Sequence, residues 1–297
     1  MDPPRTITIG ISGCSSSGKT TLARLLRDMF PETFILHEDD FYKTDSELPI
    51  KNGLVDWDCP EAISIPDLED ALAHIHATGT FPPTLDSKED LNSVGPSPAS
   101  PSHIAACTAR VQNWLSPGQP GSLIFPSNLT SSSPSPSSPQ PPQPKKTKVR
   151  LCLLDGFLLY SPPHFSRVMS LLDVKLFLRV SKAKAVARRE ARDGYVTLEG
   201  FWKDPPGYVE QIVWPNHVEA HRWMFRGGEV EEEGGGSGGG GGELDWEAVR
   251  REGISVMDGG ADREFGEVLE WAVGIVMGKM ERIVLGGQGE GKGRVEG

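Results

Sequence analysis

Near its N-terminus the chain reads Gly13-Cys14-Ser15-Ser16-Ser17-Gly18-Lys19-Thr20, which matches the pattern GxxxxGK[ST]. The preceding run, Thr6–Ile11, is rich in β-branched residues and predicts a buried strand. The following run, Lys19–Met29, repeats leucine at helical spacing and predicts a helix. A glycine-rich turn between a strand and a helix directs backbone N–H groups and the positive end of the helix dipole at phosphate oxygens. The sequence therefore predicts a phosphate-binding loop.

Two side chains of this loop suit a nucleoside triphosphate. The Lys19 ammonium is a point charge that can reach the β- and γ-phosphates, and the Thr20 hydroxyl can bind Mg²⁺. We expect ATP to be bound by all eight residues of the loop together with Thr21, and we expect Lys19 to assist catalysis.

Carboxylates follow two of the predicted strands. Asp155 comes directly after the apolar run Val149–Leu154 and is expected to hold Mg²⁺ together with Thr20. Asp39 and Asp40 follow a second short strand, where a carboxylate can accept the proton of an attacking hydroxyl. Because side chains alternate along a strand, we expect one member of this pair to point into the site, and the pattern does not choose between them.

Basic residues follow a further apolar run, Val174–Val180. Arg188 and Arg192 lie one helical turn apart on a predicted helix, with Arg189 beside them. Such side chains can bind ATP and neutralise the charge that develops on a transferred phosphoryl group. Residues 194–207 contain aromatics and prolines and are expected to form a lid. A solvated basic face of the helix is the alternative.

Strands and helices alternate along the chain, which predicts a three-layer α/β/α fold of the P-loop NTPase class with a parallel sheet. We expect one domain over residues 5–285. Two insertions within it have compositions that disfavour packing. Residues 95–146 are rich in Ser and Pro and predicted to be disordered, and residues 227–243 are rich in Gly and Glu and predicted to form a flexible loop. Residues 286–297 are expected to be a disordered tail.

The composition argues against several classes of protein. The 297 residues carry a net charge of −11, which disfavours a nucleic-acid binder. No apolar run approaches the roughly 18 residues of a membrane span, and the N-terminus lacks the pattern of a secretory signal. The four cysteines are widely spaced, as expected for reduced thiols rather than for zinc sites or disulfides. These features predict a cytoplasmic protein, with the nucleus as an alternative compartment.

Several short segments together resemble one family. They are Ser17-Gly18-Lys19-Thr20-Thr21-Leu22, Asp39-Asp40-Phe41-Tyr42-Lys43, Leu154-Asp155-Gly156-Phe157-Leu158-Leu159, Pro206-Gly207-Tyr208 and Val213-Trp214-Pro215. In this order they are similar to segments of nicotinamide riboside kinases, which belong to the uridine-kinase-like branch of the P-loop kinases. The resemblance covers most of residues 5–285 apart from the two insertions, and the phosphate loop is its least specific part.

The resemblance implies roles for individual positions. Asp39, the first of the acidic pair, would be the base or a ligand of the metal's water, facing the ribose 5′-hydroxyl, and Arg188 would be a catalytic arginine of the lid. Asp155 stands where the family usually has Glu, and Trp57 where it commonly has Tyr. The nucleoside would be bound by a set of acids, aromatics and one arginine: Asp39, Trp57, Asp58, Arg189, Tyr195 and Asp204. Acids and aromatic faces suit a planar cation such as a pyridinium ring.

The implied reaction is the ATP- and Mg²⁺-dependent phosphorylation of the 5′-hydroxyl of nicotinamide riboside, with nicotinic acid riboside as a further substrate, which would supply NAD synthesis. A uridine or cytidine kinase is one alternative, because it has the same fold and reaction with a different base pocket. The other is a P-loop scaffold that binds nucleotide without turnover and recruits protein partners through its Ser/Pro insertion. The expected partners are small molecules, not nucleic acids or membranes.

Overall fold

A computed structural model describes residues 5–87, 95–126, 149–192, 194–197, 200–231 and 242–286. Its strands are, in chain order, β1 (Arg5–Gly13), β2 (Thr33–His37), β3 (Ile50–Lys51), β4 (Leu54–Val55), β5 (Val149–Asp155), β6 (Val174–Leu178), β7 (Tyr195–Thr197), β8 (Gly200–Trp202) and β9 (Ile254–Val256). Five of them run parallel in one sheet, in the order β2-β5-β1-β6-β9. The others form two short antiparallel ribbons, β3 with β4 and β7 with β8.

The helices cover both faces of the sheet. They are α1 (Lys19–Met29), α2 (Ile65–Thr78), α3 (Pro101–Leu115), α4 (Pro120–Ile124), α5 (Ser166–Ser170), α6 (Lys182–Glu190), α7 (Trp214–His221), α8 (Trp246–Arg251) and α9 (Phe265–Met280). Within the described ranges, every helix is too short or too polar to traverse a bilayer.

Alternate side chains of the sheet enter two separate apolar cores. On β5, Leu151 and Leu153 join the first core, whereas Cys152 and Leu154 join the second. The first core also contains the three isoleucines of β1 and side chains of α1, α3 and α9, and the second contains side chains of α2, α7 and α8. This alternation places a helix layer on each face of a buried parallel sheet. The predicted three-layer α/β/α fold is confirmed.

The prediction that residues 95–146 are disordered is wrong for the part that forms α3 and α4. Cys107, Val111 and Trp114 lie at helical spacing on α3 and are buried in the first core, where α3 packs on α1 and α9. The Ser100 hydroxyl accepts the backbone N–H of His103 and caps the helix. A buried apolar stripe and an N-cap outweigh the polar composition of the surroundings. Residues 127–146 lie outside the described part of the chain.

The second insertion is described at its two ends. The backbone N–H of Arg226 donates to the carbonyl of Glu243 at 2.9 Å, and that of Gly242 donates to the carbonyl of Val230 at 2.8 Å. Val230 is buried in the second core, so the base of the insertion is packed against the domain. Its centre, residues 232–241, and residues 287–297 of the tail lie outside the described ranges, and the predictions made for them stay predictions.

Candidate active site

The phosphate loop joins β1 to α1 and needs glycine at two positions. Gly13 has φ +144°, and a Cβ there would lie 2.3 Å from the carbonyl oxygen of Leu178. Gly18 has φ +103°, and a Cβ there would lie 2.8 Å from the ring of Phe265. Side chains are excluded at both positions by the backbone conformation and by the neighbouring strand and helix. The two glycines of the motif are therefore required by the geometry of the loop.

Two cationic side chains, one from the loop and one from α6, donate hydrogen bonds to the backbone of this loop. Lys19 is buried at the start of α1, and its Nζ donates to the carbonyl of Cys14 at 3.1 Å. Nη1 of Arg188 donates to the carbonyl of Ser16 at 3.3 Å. Burial raises the pKa of the Cys14 thiol to about 12, so this residue contributes its backbone to the loop rather than a thiolate.

A cavity next to the loop brings the predicted phosphate and metal residues together. Its walls come from the loop, the ends of β2 and β5 with the residues that follow them, and the second residue after α6. They comprise Ser15, Ser16, Gly18, Lys19, Thr20, Thr21, His37, Asp39, Asp155, Gly156, Phe157 and Arg192. Asp39 is half-buried and lines this cavity, whereas Asp40 is buried and is not part of its wall. The geometry therefore distinguishes the two acids that the sequence pattern left equivalent.

Asp155 is positioned by His37 on the neighbouring strand. Nδ1 of His37 lies 3.3 Å from Oδ2 of Asp155, and both side chains are buried. Burial alone would raise the pKa of Asp155, but hydrogen bonds from His37 and Thr20 and the charge of Lys19 outweigh it and hold that pKa below its ordinary value. Asp155 is therefore an ionised carboxylate beside the Thr20 hydroxyl.

Glu38 is a buried acid that the sequence reasoning missed. Its Oε2 accepts the backbone N–H of Phe157 at 2.5 Å and that of Leu158 at 3.1 Å, which ties the end of β2 to the turn after β5. Burial, together with the adjacent charge of Asp39, raises the pKa of Glu38 to about 8. This side chain is therefore a neutral carboxylic acid at pH 7.

Glu38→Gln is expected to remove one component of the pH dependence of stability. From the ordinary pKa near 4.5 up to about 8, the folded chain retains a proton that the unfolded chain has released, so Glu38 lowers the free energy of unfolding as pH rises. The stability of the variant relative to the parent should rise by about 3–5 kcal/mol between pH 4.5 and pH 8.5. Urea unfolding across this range measures the difference. Glu61→Gln, at an exposed glutamate, is the matched control, and a pH dependence of stability in Glu38→Gln equal to that of the parent would contradict the assignment.

Arg189 gathers the predicted nucleoside-binding acids into one buried cluster. Its Nε donates to Asp204 at 2.6 Å, its Nη1 donates to Asp58 at 2.9 Å and to the hydroxyl of Ser15 at 2.7 Å, and its Nη2 donates to each acid at 3.2 Å. Burial, with the nearby charges of Asp204 and Asp56, raises the pKa of Asp58, and the charge of Arg189 opposes that rise. Arg189 thus donates two N–H bonds to each acid, which is the bidentate geometry typical of guanidinium–carboxylate pairs.

Aromatic rings surround this cluster. Trp57 is buried with its ring centroid 5.2 Å from that of Tyr42 and 5.7 Å from that of Trp202. The hydroxyl of Tyr208 accepts the backbone N–H of Trp57 at 3.0 Å, and Arg189 lies over the Tyr208 ring at 5.5 Å. The sequence predicted a site role for Trp57 but none for Tyr42, Trp202 or Tyr208.

The lid predicted over residues 194–207 contains the β7–β8 ribbon. Tyr195 pairs with Trp202 in this ribbon, but the side chain of Tyr195 lies outside the described part of the structure. A cavity between α6 and the lid is lined by Arg189, Glu190, Arg192, Gly194, Lys203, Asp204, Pro205, Pro206, Gly207, Tyr208 and Val209. Its volume is about 250 Å³, just below the roughly 300–1,000 Å³ of sites that enclose a drug-sized ligand.

A further buried network lies behind the cluster and was also missed. Both carboxylate oxygens of Asp56 accept from Nδ2 of Asn216 on α7, at 2.8 and 2.9 Å. Oδ1 of Asp56 also accepts the backbone N–H of Asp58 at 3.0 Å, and Lys51 donates to Oδ1 of Asn216 at 2.5 Å. The network fixes the backbone that carries Trp57 and Asp58. Its members are polar residues far apart in sequence, so no local pattern reveals them.

A third cavity adjoins the other side of the phosphate loop. Ser17 and Arg188 form one wall, and residues from the ends of β6 and β9 and the start of α9 form the rest, including Gly260, Asp262, Arg263, Phe265 and Val268. The sequence reasoning assigned no site role to the segment between β9 and α9. The Asp258-Gly259-Gly260 turn there was visible, but a glycine turn alone does not distinguish a ligand wall from an ordinary loop.

Comparisons with known proteins are consistent with this geometry. No family model matches the chain. Nicotinamide riboside kinase of Schizosaccharomyces pombe is 35% identical over 226 residues, which span 76% of this chain and 84% of that protein. Nicotinamide riboside kinase of Eremothecium gossypii is 32% identical, over 76% of this chain and 80% of that protein. Nicotinamide riboside kinase of Saccharomyces cerevisiae is 30% identical, over 78% of this chain and 84% of that protein. On this similarity, the chain belongs to the nicotinamide riboside kinase family.

Proposed function

We propose that the protein transfers the γ-phosphoryl group of ATP to the 5′-hydroxyl of nicotinamide riboside and so supplies the mononucleotide for NAD synthesis. The observation that carries this proposal is the meeting of two sites at one edge of the sheet. The cavity at the phosphate loop contains Lys19, Asp39 and Asp155, and the cluster of Arg189 with two acids touches the same loop through Ser15.

The loop and the two cavities beside it support ATP as the phosphate donor. The loop amides and Lys19 would hold the phosphates, and Arg188 and Arg192 lie close enough to the loop and its cavity to neutralise charge on them. The third cavity, which is lined by Ser17 of the loop and Phe265 of α9, would bind the base of the nucleotide.

The donor set beside Lys19 suits Mg²⁺. Thr20 offers a hydroxyl and Asp155 an ionised carboxylate, and Mg²⁺ prefers a few protein oxygens with water and phosphate oxygens completing its octahedron. Thr20 and Asp155 would hold the metal, and the metal would neutralise charge on the phosphates. His37 would keep the carboxylate of Asp155 directed into the cavity.

Asp39 would orient the 5′-hydroxyl and accept its proton. This side chain lines the same cavity as Lys19 and Asp155. Phosphoryl transfer requires little covalent assistance, so positioning of the hydroxyl and electrostatic stabilisation by Lys19, Arg188 and Arg192 would account for most of the rate.

Charge favours a cationic nucleoside at the second site. Asp58 and Asp204 contribute two negative charges and Arg189 one positive charge, so the buried cluster has a net charge of −1. The pyridinium ring of nicotinamide riboside supplies the missing positive charge, and the rings of Trp57 and Tyr208 add cation–π attraction of about 0.5–2 kcal/mol. Nicotinic acid riboside keeps the pyridinium ring and is proposed as a second substrate, whereas uridine and cytidine are neutral.

ADP release with ATP and Mg²⁺ tests this function directly. Nicotinamide riboside should stimulate release most, nicotinic acid riboside should also stimulate it, and uridine, cytidine and a blank without nucleoside should give little. Stimulation chiefly by uridine or cytidine would identify a pyrimidine nucleoside kinase. ATP binding with no stimulation by any nucleoside would identify a nucleotide-binding scaffold.

A further inference from the structure

Arg189 makes five hydrogen bonds to residues in the described part of the chain, one for each N–H of its guanidinium. Two go to Asp58, two go to Asp204 and one goes to the Ser15 hydroxyl. The side chain is 6% exposed, so little water is available to replace any of these bonds. Movement of the guanidinium toward one partner therefore weakens its bonds to the others.

The partners of Arg189 belong to different binding sites. Ser15 is part of the phosphate loop, and it also lines the cavity that contains Lys19 and Asp155. Asp58 follows Trp57 on the nucleoside side, and Asp204 lies in the lid, where it also accepts the indole N–H of Trp202 at 2.9 Å. One buried cation thus spans the two sites proposed for the two substrates.

We propose that Arg189, anchored to the phosphate loop by the Ser15 hydroxyl, couples the two sites so that bound nucleotide strengthens nucleoside binding and bound nucleoside strengthens nucleotide binding. This inference rests on the proposed function. Phosphate charge in the loop attracts the guanidinium toward Ser15. The guanidinium then neutralises Asp58 and Asp204 less completely. The negative charge of these two acids is therefore available to attract the pyridinium cation of the nucleoside.

Thermodynamic linkage sets the form of the coupling. If nucleotide tightens nucleoside binding by a given factor, nucleoside must tighten nucleotide binding by the same factor. We expect a factor of about five to twenty, within the range found for coupled sites. Ser15→Ala removes the acceptor that joins Arg189 to the loop but leaves the four bonds to the two acids, so it should reduce the factor to below about two.

Isothermal titration calorimetry measures the coupling in the full chain. Nicotinamide riboside is titrated into protein alone and into protein saturated with Mg²⁺ and adenosine 5′-(β,γ-imido)triphosphate, and the reverse titration checks reciprocity. Ser12→Ala is the matched control, because it removes a buried hydroxyl of β1 just before the loop, and this hydroxyl has no hydrogen-bond partner among the described residues. The control should retain the coupling factor of the parent.

The outcomes separate this inference from the function on which it rests. Absence of nicotinamide riboside binding and turnover under all conditions would contradict the proposed function. If the protein binds and turns over nicotinamide riboside, three results would overturn the inference and leave the function standing. They are a coupling factor near one in the parent, antagonism between the two ligands, and full coupling in Ser15→Ala. Equal loss of coupling in Ser15→Ala and Ser12→Ala would overturn it as well, since the effect would then not depend on the bond between Ser15 and Arg189.

Discussion

Asp39→Asn is expected to lower kcat by about 10²–10⁴-fold while the Kd for ATP changes less than about threefold. Asp39 lines the cavity that also contains Lys19, Thr20 and Asp155. Asparagine has nearly the same size but cannot take the proton of the attacking hydroxyl, so the chemical step is lost while the phosphate loop is unaltered. Steady-state ADP release gives kcat, and calorimetry with a non-hydrolysable ATP analogue gives the Kd.

An exposed acid of the same segment supplies the control for this prediction. Asp45 begins a short 3₁₀ turn just beyond Asp39 and is exposed, so Asp45→Asn should leave kcat unchanged. Turnover of Asp39→Asn at the level of the parent would remove Asp39 from the mechanism. A parallel fall in kcat and in the free energy of unfolding would indicate a structural role instead.

Trp114→Ala is expected to lower the free energy of unfolding by about 3–5 kcal/mol, the usual cost of truncating a large buried aromatic residue. Trp114 is 4% exposed on α3, its ring meets those of Phe30 and Phe125 at centroid distances of 6.0 and 6.4 Å, and its indole N–H donates to Glu281 at 2.7 Å. The substitution leaves both a cavity and an unpaired carboxylate oxygen. Urea unfolding monitored by far-UV circular dichroism measures the loss.

This prediction tests whether the insertion is part of the folded domain. Leu123, on the adjacent α4, is 60% exposed, and Leu123→Ala should change the stability by less than about 0.5 kcal/mol. A loss of that small size for Trp114→Ala would mean that α3 does not pack on α1 and α9 in solution.

Much of the fold could be predicted because its signals are local. The phosphate loop is a contiguous motif, and its glycines are dictated by clashes with immediate neighbours such as Leu178 and Phe265. The strands of the sheet are buried on both faces, so they read as short apolar runs without interruption. Asp155 was predictable for the same reason, since a charge at the end of such a run stands out.

The parts that were missed depend on distant residues or on misleading composition. The stripe Cys107, Val111 and Trp114 has clear helical spacing, but the Ser/Pro-rich residues around it concealed the helix. Asn216 contacts Asp56 across 160 positions of chain, and no periodicity within either segment signals such a contact. Glu38 looked like one acid among three, and only its burial in the folded chain distinguishes it.

The division of the interior into two cores has a consequence for how the enzyme can diverge. The aromatic rings around the nucleoside cluster pack with the second core, whereas α1 and α9, which support the phosphate loop, pack with the first. Substitutions that reshape the nucleoside pocket therefore repack one side of the sheet and leave the foundation of the ATP site intact. Selection can therefore change which nucleoside is accepted in small steps, and the ATP site can keep working at each step.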